Sequence, residues 1–180
     1  MRATGIVRRM DDLGRIVIPK EIRKTLRLRE GDPLEIFTAK DGEVILKKYS
    51  PMGELNQFSQ EYSETLGEVL GHGVIITDID SIIATSKISK DEYNTQKGIS
   101  KEIESIIENR EMKVLKGEDV IPVYEGDRNT YKEQIIAPMI SLSRDVIGTI
   151  IMVSKEEGAL SKANEDILKI AANFLGKQVQ

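Results

Sequence analysis

The chain has 180 residues, 31% charged and 39% hydrophobic, with 26 Lys and Arg against 30 Asp and Glu for a net charge of −4. It has no Cys and one His, which excludes disulfides and thiolate metal sites and leaves little from which to build a His-based catalytic triad. It has no apolar run long enough to cross a membrane, and its start, MRATGIVRR, lacks the apolar stretch of a secretory signal, so neither a membrane span nor export is expected.

Residues 3–10, ATGIVRRM, contain β-branched side chains and read as a strand. DDLG at 11–14 is a turn signal, with Gly14 able to take a positive φ. RIVIP at 15–19 reads as a second strand that must stop at Pro19, which cannot donate to a ladder. The same proline suits the first turn of a helix. KEIRKTLRL at 20–28 continues as one, with Ile22 and Leu26 four apart. REGDP breaks the helix. Strands at 33–38 and 43–48 follow, joined by AKDG, whose Asp-Gly is a strong hairpin signal. A unit of this size buries little apolar surface alone, so it is expected to fold as an intertwined or tightly packed dimer.

Pro51 and Gly53 interrupt the pattern, and the charge changes sign nearby. Residues 1–50 carry a net +4 and residues 51–180 a net −8. The expected organisation is therefore one domain at 1–50 and a second at 51–180. Residues 54–70 read as a helix with Leu55, Phe58, Tyr62, Leu66 and Val69 in steps of three and four. That spacing fits either a short coiled-coil seam or a helix packed on its own domain. VIITDID and SIIAT read as short strands around an acidic turn. Residues 97–111 read as a helix with Ile99, Ile103, Ile106 and Ile107 on one face. MKVL, VIPVY, KEQIIAPMI and DVIGTIIMVS within 112–154 read as strands. Residues 162–178 close the chain as a helix, with Ile167, Ile170, Ala171, Phe174 and Leu175 on one side and Gly176 as its C-terminal cap. An antiparallel sheet flanked by helices makes this domain α+β.

The first 29 residues hold nine Lys and Arg against three acids, a net +6 within an acidic protein. Such cations neutralise phosphates and release counterions from DNA. Seven of the nine are Arg, whose planar fork binds phosphate or the O6 and N7 of guanine. Arg8 and Arg9 close the first strand, and Arg15 opens the second. Arg23, Lys24 and Arg27 line the polar face of the helix, while Arg2 and Lys20 extend the set. Ile22 and Leu26 are too few to seat the helix in a membrane surface. Residues 1–50 offer only Phe37 and Tyr49 as stacking platforms, which disfavours single strands. Duplex DNA is the favoured partner.

GIVR, LGRIVIP, a basic helix and GDPLEI, all within residues 3–48, together resemble the swapped-hairpin DNA-binding domain of the AbrB transition-state regulators. The resemblance implies an intertwined N-terminal dimer joined to a GAF-like C-terminal domain. It also implies a homotetrameric transcription factor, cytoplasmic and nucleoid-associated, acting in late endospore development. It implies DNA contact through Arg8, Arg9, Arg15, Arg23 and Lys24. The family often has Arg where this chain has Lys24. Lysine keeps the charge, and with it a phosphate role, but loses the fork. The overall expectation is an α+β chain: an AbrB-like β-rich head, then a GAF-like domain. The alternative is an antitoxin-type protein with the same head, whose C-terminal segment binds a toxin.

No catalytic residue, cofactor or metal is expected. GEVLGHG at 67–73 lacks the Lys-Ser or Lys-Thr of a Walker loop, and no Gly-x-Ser-x-Gly elbow occurs. Two uses follow for the second domain: a scaffold that multiplies DNA-binding heads, or a scaffold that also senses an unidentified small molecule. Arg128, Tyr131, Lys132 and His72 are its polar candidates, but the first three read more readily as solvated loop residues and His72, between Gly71 and Gly73, as a turn residue.

Overall fold

The computed structural model describes residues 5–26, 28–40, 42–48, 56–89, 91–95, 97–128 and 130–178. The chain divides into two compact units, Met1–Tyr49 and Ser50–Gln180.

In the first unit, Pro19 precedes helix α1 (Lys20–Thr25), and Arg23 N–H donates to the Pro19 carbonyl at 3.0 Å. The helix runs six residues and buries none of them, with Leu26 55% exposed. Strands β1 (Leu34–Thr38) and β2 (Val44–Lys48) form the expected antiparallel hairpin, Leu34 opposite Lys48 and Thr38 opposite Val44. The expected strands at 3–10 and 15–19 differ. Among the described residues, 5–10 and 15–19 join no β-ladder. A strand exists only through the edge it pairs with, and neither segment pairs with an edge of its own chain. Between them, a tight turn is closed by Asp11 N–H to Arg15 O at 3.0 Å and Gly14 N–H to Asp11 O at 3.1 Å. Gly14 sits at φ 76°, where a Cβ would be strained.

The second unit is a five-stranded antiparallel sheet in the order β4-β3-β7-β6-β5. Its elements are α2 (Asn56–Leu70), β3 (Gly73–Thr77), β4 (Ile82–Ser86), α3 (Lys101–Asn109), β5 (Lys113–Lys116), β6 (Glu133–Ile140), β7 (Val146–Ser154) and α4 (Lys162–Gln178). Strand alternation divides the core in two. Val74, Ile76, Ile135, Ile150 and Met152 face one way, where Leu168, Ala171 and Leu175 of α4 and Phe58, Tyr62 and Leu66 of α2 cover them. Ile75, Ile136, Ile151 and Val153 face the other way, towards Ile103 and Ile106 of α3. With helices on both faces, the central strands read as continuous apolar runs.

Two local expectations change, and the structure decides one open alternative. VIPVY at 120–124 is not a strand, because Pro122 cannot donate and side chains take over the backbone groups. Ile121 N–H donates to Gln134 Oε1 at 3.1 Å, Val123 N–H to Asp127 Oδ2 at 2.9 Å, and Ser100 Oγ to the Pro122 carbonyl at 2.6 Å. Helix α2 packs on its own sheet, with Ser59, Ser63 and Gly67 buried while Val69 is exposed. Leu55 of the expected stripe lies outside the described residues. Helix α4 buries Asn164, Leu168, Ala171, Ala172, Leu175 and Gly176, and leaves Ile170 and Phe174 exposed. Gly176 therefore lies inside this helix and does not cap it.

Glu133 opens β6 with its side chain 1% exposed. Its Oε2 accepts the Leu160 N–H at 2.7 Å, and Lys116 Nζ lies 3.1 Å from Oε1. Burial pulls the carboxyl upward, but the Leu160 and Gly158 N–H groups and the Lys116 ammonium hold it below the usual carboxylate range. A depressed folded-state value contributes stability above the unfolded value of about 4.3, lost as pH falls below it. Glu133→Gln is therefore expected to cost about 1–3 kcal/mol in urea unfolding at neutral pH, and less in acid. An equal cost at both pH values would show that the charge contributes nothing.

Among the described residues, no helix is long and apolar enough to cross a membrane.

Candidate nucleic-acid interface

The first unit presents its cations outward. Arg8 and Arg9 precede the 11–15 turn and are exposed; Arg8 Nη1 donates to the Val7 carbonyl at 3.2 Å. Arg23 and Lys24 occupy the last turn of α1, also exposed, with Lys20 exposed at its start. Arg8, Arg9, Arg23 and Lys24 make no ion pair among the described residues. Arg2 and Arg27 lie outside the described residues.

Arg15 is different. Its Nε donates to Asp11 Oδ2 at 2.7 Å, although its side chain stays 71% exposed. Asp11 Oδ1 accepts the Arg15 N–H at 2.8 Å and the Leu13 N–H at 3.0 Å. The Arg15 N–H and guanidinium, with help from the Leu13 N–H, hold the Asp11 carboxyl below its usual range. The sequence does not single out Asp11, whose side chain closes this turn and pairs with Arg15. The available signal was an Asp opening a Gly-closed turn four residues before an Arg.

The same unit exposes apolar surface. Val7 is 85% exposed, Val17 73% and Ile36 66%. An apolar trough of about 570 Å³ runs between Ile6, Ile16, Val17, Ile22, Leu34 and Leu46, with Arg8 and Lys47 also lining it.

In the second unit Lys132 is exposed, and Arg128, also exposed, lines a pocket of about 220 Å³ with Asp91, Tyr93, Lys97 and Asp127. Tyr131 is half-buried against Tyr93, ring centroids 5.9 Å apart, and burial pushes its hydroxyl up to about 12. His72 lines a polar groove of about 500 Å³ with Lys87, Tyr131 and Lys155. Among the described residues, no group of His, Asp and Glu could hold a metal ion.

Comparison with known proteins supplies the family. The model for the C-terminal domain of stage V sporulation protein T, described as a transcription factor, matches residues 54–180. The model for MazE, a bacterial antitoxin of antidote-toxin recognition, matches residues 7–54. The chain is 44% identical over 180 residues to stage V sporulation protein T of Bacillus subtilis, covering 100% of this chain and 99% of that protein. It is 57% identical over 51 residues to the transition state regulatory protein AbrB of the same organism, 28% of this chain and 52% of that one. The cofactor-binding GAF domain of the nutrient sensor CodY from Clostridium difficile superposes with a TM-score of 0.51 at 20% identity, covering 67% of this chain and 83% of that domain, a likeness of fold alone. With an AbrB-like head and a GAF fold behind it, the chain belongs to the stage V sporulation protein T family of transcription factors.

Proposed function

We propose that this protein is a cytoplasmic, nucleoid-bound regulator of late endospore development that grips duplex DNA through paired N-terminal heads. In this reading residues 1–50 bind DNA and residues 51–180 assemble the oligomer. The observation that carries it is the exposure of Arg8, Arg9, Arg23 and Lys24, without ion-pair partners among the described residues, in a head of net charge +4. Free, outward cations are what phosphate neutralisation requires. Arg15, paired with Asp11, is not counted among these free cations, and in this reading it meets DNA through the nitrogens that Asp11 leaves unused.

Pairing follows from the apolar surface. Side chains such as Val7, Val17 and Ile36, exposed together on so small a unit, favour burial against a second copy. Residues 5–10 and 15–19 would complete their ladders there, which is the swapped-hairpin arrangement. On α2 and α4, exposed Val69, Ile170 and Phe174 supply a second surface for joining dimers into a tetramer. Linking two heads raises the effective concentration of each without new DNA contacts.

The antitoxin alternative is disfavoured by the C-terminal unit. Antitoxin tails are expected to be short and unfolded when free, whereas residues 56–178 build a five-stranded sheet with helices on both faces.

The test compares the full-length protein on a duplex and on either of its single strands. Duplex affinity at least about tenfold higher is expected, because a basic head with few aromatics tracks phosphates and cannot stack bases. Equal affinity for both, or a monomeric protein in sedimentation, would remove the reading.

A further inference from the structure

Arg15 is held in place by a carboxylate bond, whereas Arg8, Arg9, Arg23 and Lys24 make no ion pair among the described residues. Asp11 serves two purposes at once. Through Oδ1 it accepts the Leu13 and Arg15 backbone N–H groups and so builds the turn; through Oδ2 it fixes the guanidinium that leaves the turn. The bond uses the edge nitrogen, Nε. The two terminal nitrogens make no hydrogen bond among the described residues, and the side chain remains exposed. The result is an oriented fork whose charge is largely offset.

Such a fork is badly matched to phosphate. A phosphate approaching Arg15 also meets the Asp11 carboxylate, and repulsion between the anions offsets the attraction. Guanine differs, because its O6 and N7 are neutral acceptors. A bidentate contact to them depends on alignment more than on net charge. Holding the long side chain beforehand also reduces the rotamer freedom lost on binding.

We propose that Asp11 is a positioning residue that commits Arg15 to reading a guanine edge in the major groove, while Arg8, Arg9, Arg23 and Lys24 hold phosphates. This rests on the duplex-binding reading and assigns, within it, the side chain that carries sequence information.

The probe is a duplex recovered by the full-length protein from a randomised library, with each guanine replaced in turn by 7-deazaguanine, which lacks the N7 acceptor. One guanine per half-site is expected to cost the natural protein about fivefold or more. Asp11→Asn keeps an oxygen for the two backbone N–H groups but turns an amide nitrogen towards Nε, so the turn survives and the clamp is lost. In that variant the 7-deazaguanine penalty is expected to vanish, while affinity for a scrambled duplex rises because a negative charge has gone. Arg15→Lys, with Asp11 intact, should lose the same penalty, since lysine has no fork. The assignment is overturned if no guanine is sensitive in the natural protein, or if either variant keeps the natural penalty. It is equally overturned if Asp11→Asn weakens recovered and scrambled duplexes alike, because Asp11 then only builds the turn. Failure of the wider reading looks different: the natural protein would recover no duplex at all.

Discussion

Raising the salt from 50 to 200 mM is expected to lower the affinity of the full-length protein for duplex DNA by about 10⁴-fold. The figure follows from counting cations. Arg8, Arg9, Arg23 and Lys24 occur twice in a dimer, so about eight phosphates are engaged, and at roughly 0.9 per phosphate the slope of log affinity against log salt is about −7. Arg15 does not enter the count, because Asp11 already offsets its charge. The Arg8→Ala/Arg23→Ala variant removes about four contacts and should halve the slope to about −3.6, leaving a salt response of roughly 150-fold over the same range. Both side chains are exposed and neither makes an ion pair among the described residues, so the far-ultraviolet circular dichroism should not change. A shallow slope in the natural protein would show that phosphate neutralisation is not what this head does. An unchanged slope in the variant would place the phosphate contacts on other residues.

Much of the fold could be read from the sequence, for identifiable reasons. Ile103 and Ile106 announce α3 because one helical face is apolar and the other charged, and Asp-Gly announces the β1–β2 hairpin. The buried faces of α2 and α4 were harder. Hydropathy favoured Val69, Ile170 and Phe174, which are exposed, over Ser59, Ser63, Gly67 and Gly176, which are buried. Small residues let a helix approach a sheet closely, and closeness is a tertiary fact that side-chain hydropathy does not encode. The head's cations were legible from charge alone, since an uncompensated cluster has few stable places except the surface. The Asp11 clamp was not. In a charge count an aspartate near an arginine only subtracts, and its geometric role emerges once the turn brings Oδ2 to Nε.

Gly176→Ala is expected to destabilise the C-terminal unit by about 3 kcal/mol, enough to lower its melting temperature by roughly 10 °C. Helix propensity alone argues the reverse, since replacing a helical glycine by alanine normally gains about 1 kcal/mol. Space decides the sign. A Cβ on Gly176 would stand 2.2 Å from the Ile140 carbonyl oxygen and 2.8 Å from its carbonyl carbon and amide nitrogen. All three are backbone atoms at the end of β6, where no side chain can swing aside. The last turn of α4 would have to lift, and with it Leu175 and Ala172, which close the core over the sheet. Gly67 provides the internal comparison. Its added Cβ would meet the Ser86 Oγ at 2.5 Å, the movable end of a side chain. Gly67→Ala should therefore cost much less, within about 1 kcal/mol, because the propensity gain offsets a small displacement. Thermal unfolding of both variants measures the difference. If Gly176→Ala melts with or above the natural protein, α4 does not sit against β6 as closely as these distances require.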